Sequence, residues 1–302
     1  MFDVNIQINA FLNHCKNIKA LNKKTIKAYS IDLKQFAEYC DNCFEKNSIC
    51  SYLSLLHNTY KPKTVKRKIA TLKAFTHYLM IEDIIEINPF NKIEISFREP
   101  VVLPKTIPIN VIESILVAAY SNLKSSETEY SRKTSVRDIA VLELLFATGA
   151  RVSEVCSLTP SSVNLDNHTI KFYGKGSKER IIQIENLNVQ KALSNYVNMF
   201  DEEIKASDYF FVNRLHNRLS EQSVREMIRK YTKLAEINIH ITPHMFRHTF
   251  ATLLLEEDVD IRYIQRLLGH SSITTTQIYT HVAMSKQKEI LSAKHPRNKI
   301  KI

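Results

Sequence analysis

Residues 242–257 read "TPHMFRHTFATLLLEE". Pro243 suits a first helical position, where a missing N–H costs nothing. A helix from there places His244 and Arg247, three residues apart, on one face. The neighbouring segments "SEQSVREMIRKYTKLAE" (220–236) and "DIRYIQRLLG" (260–269) have apolar residues at helical spacing too. "TIKFYGKGSKERIIQIE" (169–185) differs: two short β-type runs flank a Gly-Lys-Gly-Ser turn, which reads as a hairpin. "NVIESILVAAYSNL" (110–123), "SVRDIAVLELLFATGA" (135–150) and "NVQKALSNYVNMF" (188–200) are further helices. The fold class is mainly α with a small antiparallel β-sheet.

The N-terminal part is helical throughout. In "NKKTIKAYSIDLKQFAEYC" (22–40), Ile26, Tyr29, Leu33, Phe36 and Ala37 share a face, with Thr25 or an earlier polar residue as the cap. "KPKTVKRKIATLKAFTHYLM" (61–80) opens on Lys61, Lys63, Lys66, Arg67 and Lys68, set opposite the stripe of Ile69, Leu72, Phe75 and Leu79. These residues, with Lys23 and Lys24, are candidates for a DNA phosphate backbone; the plainer reading is a solvated helix face. "REPVVLPKTIP" (98–108) has three prolines and no helical period. The expected organisation is a helical domain 1–98, a linker 99–108 and a second domain 109–302.

The chain of 302 residues carries a net charge of +11 and a pI near 9.3. Such a surplus points to a polyanionic partner, nucleic acid first. The start lacks a signal-peptide pattern, and no apolar run reaches the ~20 residues of a spanning helix. The expected location is cytoplasmic, with no membrane partner. Five cysteines, Cys15, Cys40, Cys43, Cys50 and Cys156, read as reduced thiols on helix faces. The lone Cys40–Cys43 pair has no partner pair at a spacing that fixes a zinc site.

There are only 4 glycines: Gly149, Gly174, Gly176 and Gly269. Each marks a place where the backbone turns beside a cation or an imidazole: Arg151, Lys175 and His270. Glu154, at i+3 from Arg151, is placed to orient it or brace the turn. Tyr279 follows in "LLGHSSITTTQIYTHV" (267–282). A phenol, with a pKa of about 10, needs help to attack at neutral pH. If these side chains converge on one phosphodiester, two arginines grip its non-bridging oxygens. His244 and His270 donate hydrogen bonds or move protons. Lys175 protonates the leaving alkoxide and Tyr279 attacks. No metal or cofactor is required.

In order and spacing, "TGARVSEVCSL" (148–158), "GKGSKERIIQI" (174–184), "HMFRHTFATLLLE" (244–256), "LLGHSSITTTQIYTHV" and "AKHPRN" (293–298) resemble the tyrosine recombinase, phage integrase-like, family, and within it the Xer recombinases. "KKTIKAYSIDLKQF" (23–36) resembles the family's SAM-like core-binding domain. The resemblance implies a two-domain DNA clamp with Arg151, Lys175, His244, Arg247 and His270 as catalytic residues and Tyr279 as nucleophile. It implies a 3′-phosphotyrosyl intermediate and strand exchange through a Holliday junction without ATP. The partners implied are a double-stranded recombination site and a homotetramer, or a heterotetramer with a paralogue, on two sites. A DNA translocase or accessory regulator is a further implied partner, and a tail from about 284 to 302 docks between protomers. The role implied is chromosome or plasmid dimer resolution, or integration and excision of a mobile element. The long polar segment 119–138 favours the mobile element, and Phe246 stands where the family more often has Leu.

Three alternatives stand beside this. His244 and His248 have the i, i+4 spacing of a zinc hydrolase, but Met245 stands where its general-base Glu belongs and Arg247 repels a cation. A type IB topoisomerase-like enzyme shares the phosphotyrosyl chemistry. A catalytically silent DNA-binding regulator is the third.

Overall fold

A computed structural model describes residues 3–40, 44–95, 103–174 and 179–270. The chain divides into two compact units, Met1–Val101 and Val102–Ile302.

Among its described residues the first unit holds four α-helices: α1 (Val4–Asn17), α2 (Lys23–Cys40), α3 (Lys46–Thr59) and α4 (Pro62–Ile81). The Asp3 carboxylate accepts from the N–H groups of Asn5 (2.8 Å) and Ile6 (3.2 Å), which starts α1. Asn22, the polar residue before α2, accepts from the N–H of Thr25 at 2.8 Å. These are the side-chain caps that exposed helical N–H groups require. Phe11, Leu33, Phe36, Leu56, Leu72, Phe75 and Leu79 fill the core between the helices.

Lys68 departs from the sequence reading, which placed it in the phosphate-facing cluster. It is 2% exposed and pairs with Asp32 of α2 at 3.0 Å. Its ammonium also donates to Gln35. On α4 it belongs to the buried stripe with Val65, Ile69 and Leu72. A lysine enters such a stripe only because a buried carboxylate faces it from the neighbouring helix. Asp32 also binds Arg67 and accepts from the Thr71 hydroxyl at 3.1 Å. Lys23, Lys24, Lys63 and Lys66 are exposed, as is Arg67.

The second unit is built around α6 (Glu129–Thr148). Ile139, Ala140, Val141, Leu142, Leu144 and Leu145 are all buried, so the C-terminal half of this helix is enclosed nearly all round. It packs against α5 (Ile109–Lys124), α8 (Leu187–Met199), α10 (Glu221–Leu234) and α11 (Pro243–Glu256). The other α-helices among the described residues are α7 (Val152–Cys156), α9 (Asp201–Lys205) and α12 (Ile261–Leu268). Strands β1 (Val163–Asn164), β2 (Thr169–Tyr173) and β3 (Glu179–Gln183) form one antiparallel sheet in that order. Phe172 faces Arg180 across the β2–β3 ladder. The molecule is therefore mainly helical with a small antiparallel sheet.

Two stretches of irregular-looking sequence are absorbed into this unit. The polar segment 119–138 becomes the end of α5 and the start of α6, joined by a short turn. Thr128 caps α6 by accepting from the N–H of Ser131 (3.1 Å), and the Asn122 amide donates to Ser135 Oγ (2.8 Å). Ile107, near the end of the proline-rich run, is buried, and its N–H donates to Thr249 Oγ1 at 2.7 Å.

The buried Asp32–Lys68 pair makes a quantitative prediction. Asp32→Asn leaves a buried ammonium without its counter-charge and should cost about 3–5 kcal/mol. Lys63→Ala, on the exposed side of α4, should stay within about 0.5 kcal/mol. Urea unfolding of the full chain measures both; equal effects would contradict the assignment of Lys68 to the core.

Candidate active site

Two glycine turns, strand β3 and helices α7 and α11 bring the site together. Gly149 ends α6 in the left-handed conformation, with φ 57°. A Cβ there would lie 2.6 Å from Phe250 Cδ1, so only glycine fits this turn. The chain then restarts at Arg151, the N-cap of α7. The backbone N–H of Arg151 donates to Glu154 Oε2 at 2.8 Å, and its Nη1 donates to Oε1 at 2.8 Å. Glu154 thus both caps the turn and orients the arginine.

Arg180, at the start of β3, holds the same carboxylate from the other side. Its Nη1 and Nη2 donate to Glu154 Oε1 and Oε2 at 3.0 and 2.7 Å, and its Nε donates to the carbonyl of Leu267 at 2.8 Å. Its guanidinium carbon lies 4.9 Å from the Phe172 ring centroid. Glu154 is 6% exposed. Burial alone would raise its carboxyl, but the hydrogen bonds and charge of Arg180, followed by the hydrogen bonds of Arg151, hold it below the ordinary carboxylate value.

Arg247 on α11 is 3% exposed. It donates through Nη1 to the carbonyl of Gly149 at 2.8 Å and through Nη2 to that of Leu268 at 2.7 Å. It thereby binds the C-terminal ends of α6 and α12, where backbone carbonyls lack helical partners and attract a cation. Gly269 ends α12 at φ 64°, and His270 follows. His270 accepts from the Gln265 amide through its carbonyl oxygen (3.2 Å), while its own N–H donates to the Gln265 carbonyl (3.1 Å).

The imidazoles share this cationic surround. His270 is lowered to about 4, first by burial, then by the charges of Arg247, Arg151 and Arg180. His248 is lowered to about 4 by burial, then by His244 and Arg247. His244 is exposed at the surface, yet it too is lowered, by local desolvation ahead of Arg247 and Arg151. His270 is therefore held as a neutral imidazole at pH 7.

Arg151, Glu154, His244, Arg247 and His270 thus converge from α7, α11 and the end of α12. Lys175 and Tyr279 lie outside the described residues. The sequence reading missed Arg180. Its signal was present: Arg180 and Ile182 alternate onto the same side of β3, and Ile182 is buried. A charged residue at an inward strand position needs a buried partner, and Glu154 is that partner.

Residues 110–286 match the model of the phage integrase family, and residues 8–83 match that of the phage integrase N-terminal SAM-like domain. The chain belongs to the phage integrase family. Its function is site-specific DNA recombination by strand cleavage and rejoining, the activity of a tyrosine recombinase. A tyrosine recombinase of Agathobacter rectalis is 54% identical over 98% of both chains. The tyrosine recombinase XerD of Halalkalibacterium halodurans is 34% identical over 98% of this chain and 100% of its own. A crystal structure of the XerH site-specific recombinase bound to palindromic difH substrate, a post-cleavage complex, shares the fold. Its TM-score is 0.75 at 22% identity, over 95% of this chain and 84% of that one. The topoisomerase and silent-regulator alternatives find no support among these relatives. Among the described residues, no helix is long and apolar enough to cross a membrane.

The lowered imidazoles fix a pH dependence. A histidine with pKa about 4 when folded and about 6.5 when unfolded binds fewer protons in the folded state between those values. Folding stability is therefore complete above about pH 6.5 and falls as the pH drops towards 4. Substituting His248→Gln and His270→Gln together should flatten this slope in thermal unfolding scans from pH 7 to 4. A slope identical to wild type would show that these imidazoles are not the cause.

Proposed function

We propose that this recombinase breaks DNA at a phosphodiester held between Arg151 and Arg247, with Tyr279 as nucleophile. The phenol oxygen of Tyr279 forms a bond to phosphorus as the bond from phosphorus to the 5′ oxygen breaks. The phenol proton passes to a neutral imidazole, His244 or His270. Lys175 gives a proton to the departing 5′ oxygen, leaving a free 5′-hydroxyl and a 3′-phosphotyrosyl link. A 5′-hydroxyl from the partner strand attacks that link and releases the tyrosine. The number of bonds to phosphorus is conserved, so the reaction needs no ATP.

What supports this reading is that Arg151, oriented by Glu154, and Arg247 both lie close enough to His244 and His270 to lower them together with burial. Guanidiniums pair with phosphate oxygens in a fixed fork, and in a partly dehydrated site they stabilise the charge that develops on the transferring group. Neutral imidazoles beside them are competent proton acceptors at physiological pH, which a protonated histidine is not.

The wider assembly belongs to the same proposal. Residues 1–98 bind DNA as a core-binding domain, with Lys23, Lys24, Lys63, Lys66 and Arg67 on the phosphate backbone, and residues 99–108 link it to the catalytic domain. Four protomers, identical or with a paralogue, join two sites through a Holliday junction, under a translocase or accessory regulator. The reaction runs in the cytoplasm and serves dimer resolution or mobile-element movement.

A nicked recombination site that traps the covalent intermediate tests the chemistry. Wild-type protein should migrate linked to DNA in the presence of EDTA, and Tyr279→Phe should not. Arg151→Ala should lose on the order of 10²–10³ in cleavage rate while keeping most DNA binding. Covalent linkage by the Phe variant would refute Tyr279 as nucleophile, and loss of binding in Arg151→Ala would make that residue a docking contact.

The tail is tested separately, on residues outside those described. Deleting residues from 284 onward should weaken synapsis of two sites in a gel-shift assay while binding to one site persists. Synapsis at wild-type level would show that assembly does not depend on the tail.

A further inference from the structure

Arg180 is a buried cation with a fork geometry that the phosphodiester reading leaves unused. Its side chain is 9% exposed. Both of its terminal nitrogens engage Glu154, one on each oxygen, at 3.0 and 2.7 Å. This is the bidentate arrangement that arginine and carboxylate prefer. Arg151, by contrast, places a single guanidinium nitrogen on Glu154, Nη1 on Oε1 at 2.8 Å, and its side chain is 35% exposed. The two arginines thus divide one carboxylate unequally. Arg180 holds the fork, and Arg151 keeps an end-on contact.

That division has a chemical consequence. Glu154 is buried and ionised, so it must be matched by cationic donors. With Arg180 present, both oxygens are already engaged, and Arg151 is oriented without being consumed. With Arg180 absent, the only guanidinium within the described contacts of Glu154 is Arg151. The carboxylate would then draw Arg151 into the bidentate pair and occupy the N–H groups that a phosphate needs. Arg180 also lies against the turn that leads to His270. A Cβ on Gly269 would come within 3.2 Å of its Cδ and Nη1, and its Nε holds the Leu267 carbonyl.

We propose that Arg180 is a positioning residue for strand cleavage: by taking both oxygens of Glu154, it keeps the guanidinium of Arg151 available to the scissile phosphate. The proposal rests on the reading of Arg151 as a phosphate contact. Lysine at position 180 would supply charge but not the fork, so charge alone does not fulfil the role.

The test uses the full-length protein and two nicked substrates. One carries the ordinary scissile phosphodiester. The other carries a scissile methylphosphonate, in which a methyl group replaces a non-bridging oxygen and removes the negative charge that Arg151 balances. Covalent-complex formation by Arg180→Lys, Arg180→Gln and Arg151→Ala is compared with wild type on the same substrate at saturating DNA.

On the phosphodiester, the Arg180 variants should lose on the order of 10²-fold, the cost of a small misplacement at a reacting group. On the methylphosphonate, that loss should shrink in parallel with the loss for Arg151→Ala. An equal loss on both substrates would overturn the proposal and leave Arg180 a brace of the fold. If Arg180→Gln fails to fold, Arg180→Lys carries the test, because it keeps a positive partner for Glu154. If Arg151→Ala loses equally on both substrates, the reading of Arg151 fails, and the role of Arg180 falls with it.

Discussion

A single carboxylate, Glu154, organises the catalytic unit. It sits in the interior and accepts four hydrogen bonds from two arginines on different elements. Taking an ionised group out of water costs several kcal/mol, and the cost is offset only when cations and donors meet it in good geometry. Here that geometry exists only once α7 and β3 have docked. Arg180 then reaches on to Leu267, and Arg247 joins Leu268 to Gly149, so the ends of α6 and α12 are fixed by the same set of guanidiniums. The site and the fold share these bonds.

This arrangement sets the electrostatics of the centre. Burial lowers the neighbouring imidazoles first, and the arginines, which remain charged in any protein environment, lower them further. The result is a centre with fixed positive charge and proton acceptors close together. An arriving phosphate brings the negative charge that the guanidiniums call for. The first unit uses a related device, with Asp32 buried between Arg67 and Lys68. There the carboxylate joins two helices and leaves part of the basic surface of α4 available and part of it locked.

Much of the fold was legible because its signals are local. Helical spacing marked α2, α4, α10 and α11, alternation around Gly174 and Gly176 marked the hairpin, and Gly149 and Gly269 marked turns that the structure places at positive φ. The order of the motifs pointed to the family. Lys68 and Arg180 were not legible in the same way. Each is a charged residue in an inward position, and its partner lies far away in sequence: Asp32 is 36 residues from Lys68, and Glu154 is 26 from Arg180. Periodicity within one element tells which face a residue occupies, but not which carboxylate lies opposite.

The sequence by itself determined the mainly helical class, the hairpin and the family, and it singled out Arg151, Glu154, His244, Arg247 and His270, because these follow from short-range spacing and motif order. Tertiary structure alone decided that Lys68 is buried, that Arg180 shares Glu154 with Arg151, and that His248 and His270 are lowered to about 4. Those properties depend on desolvation and on charges brought close by packing. Neither exists until the chain has folded.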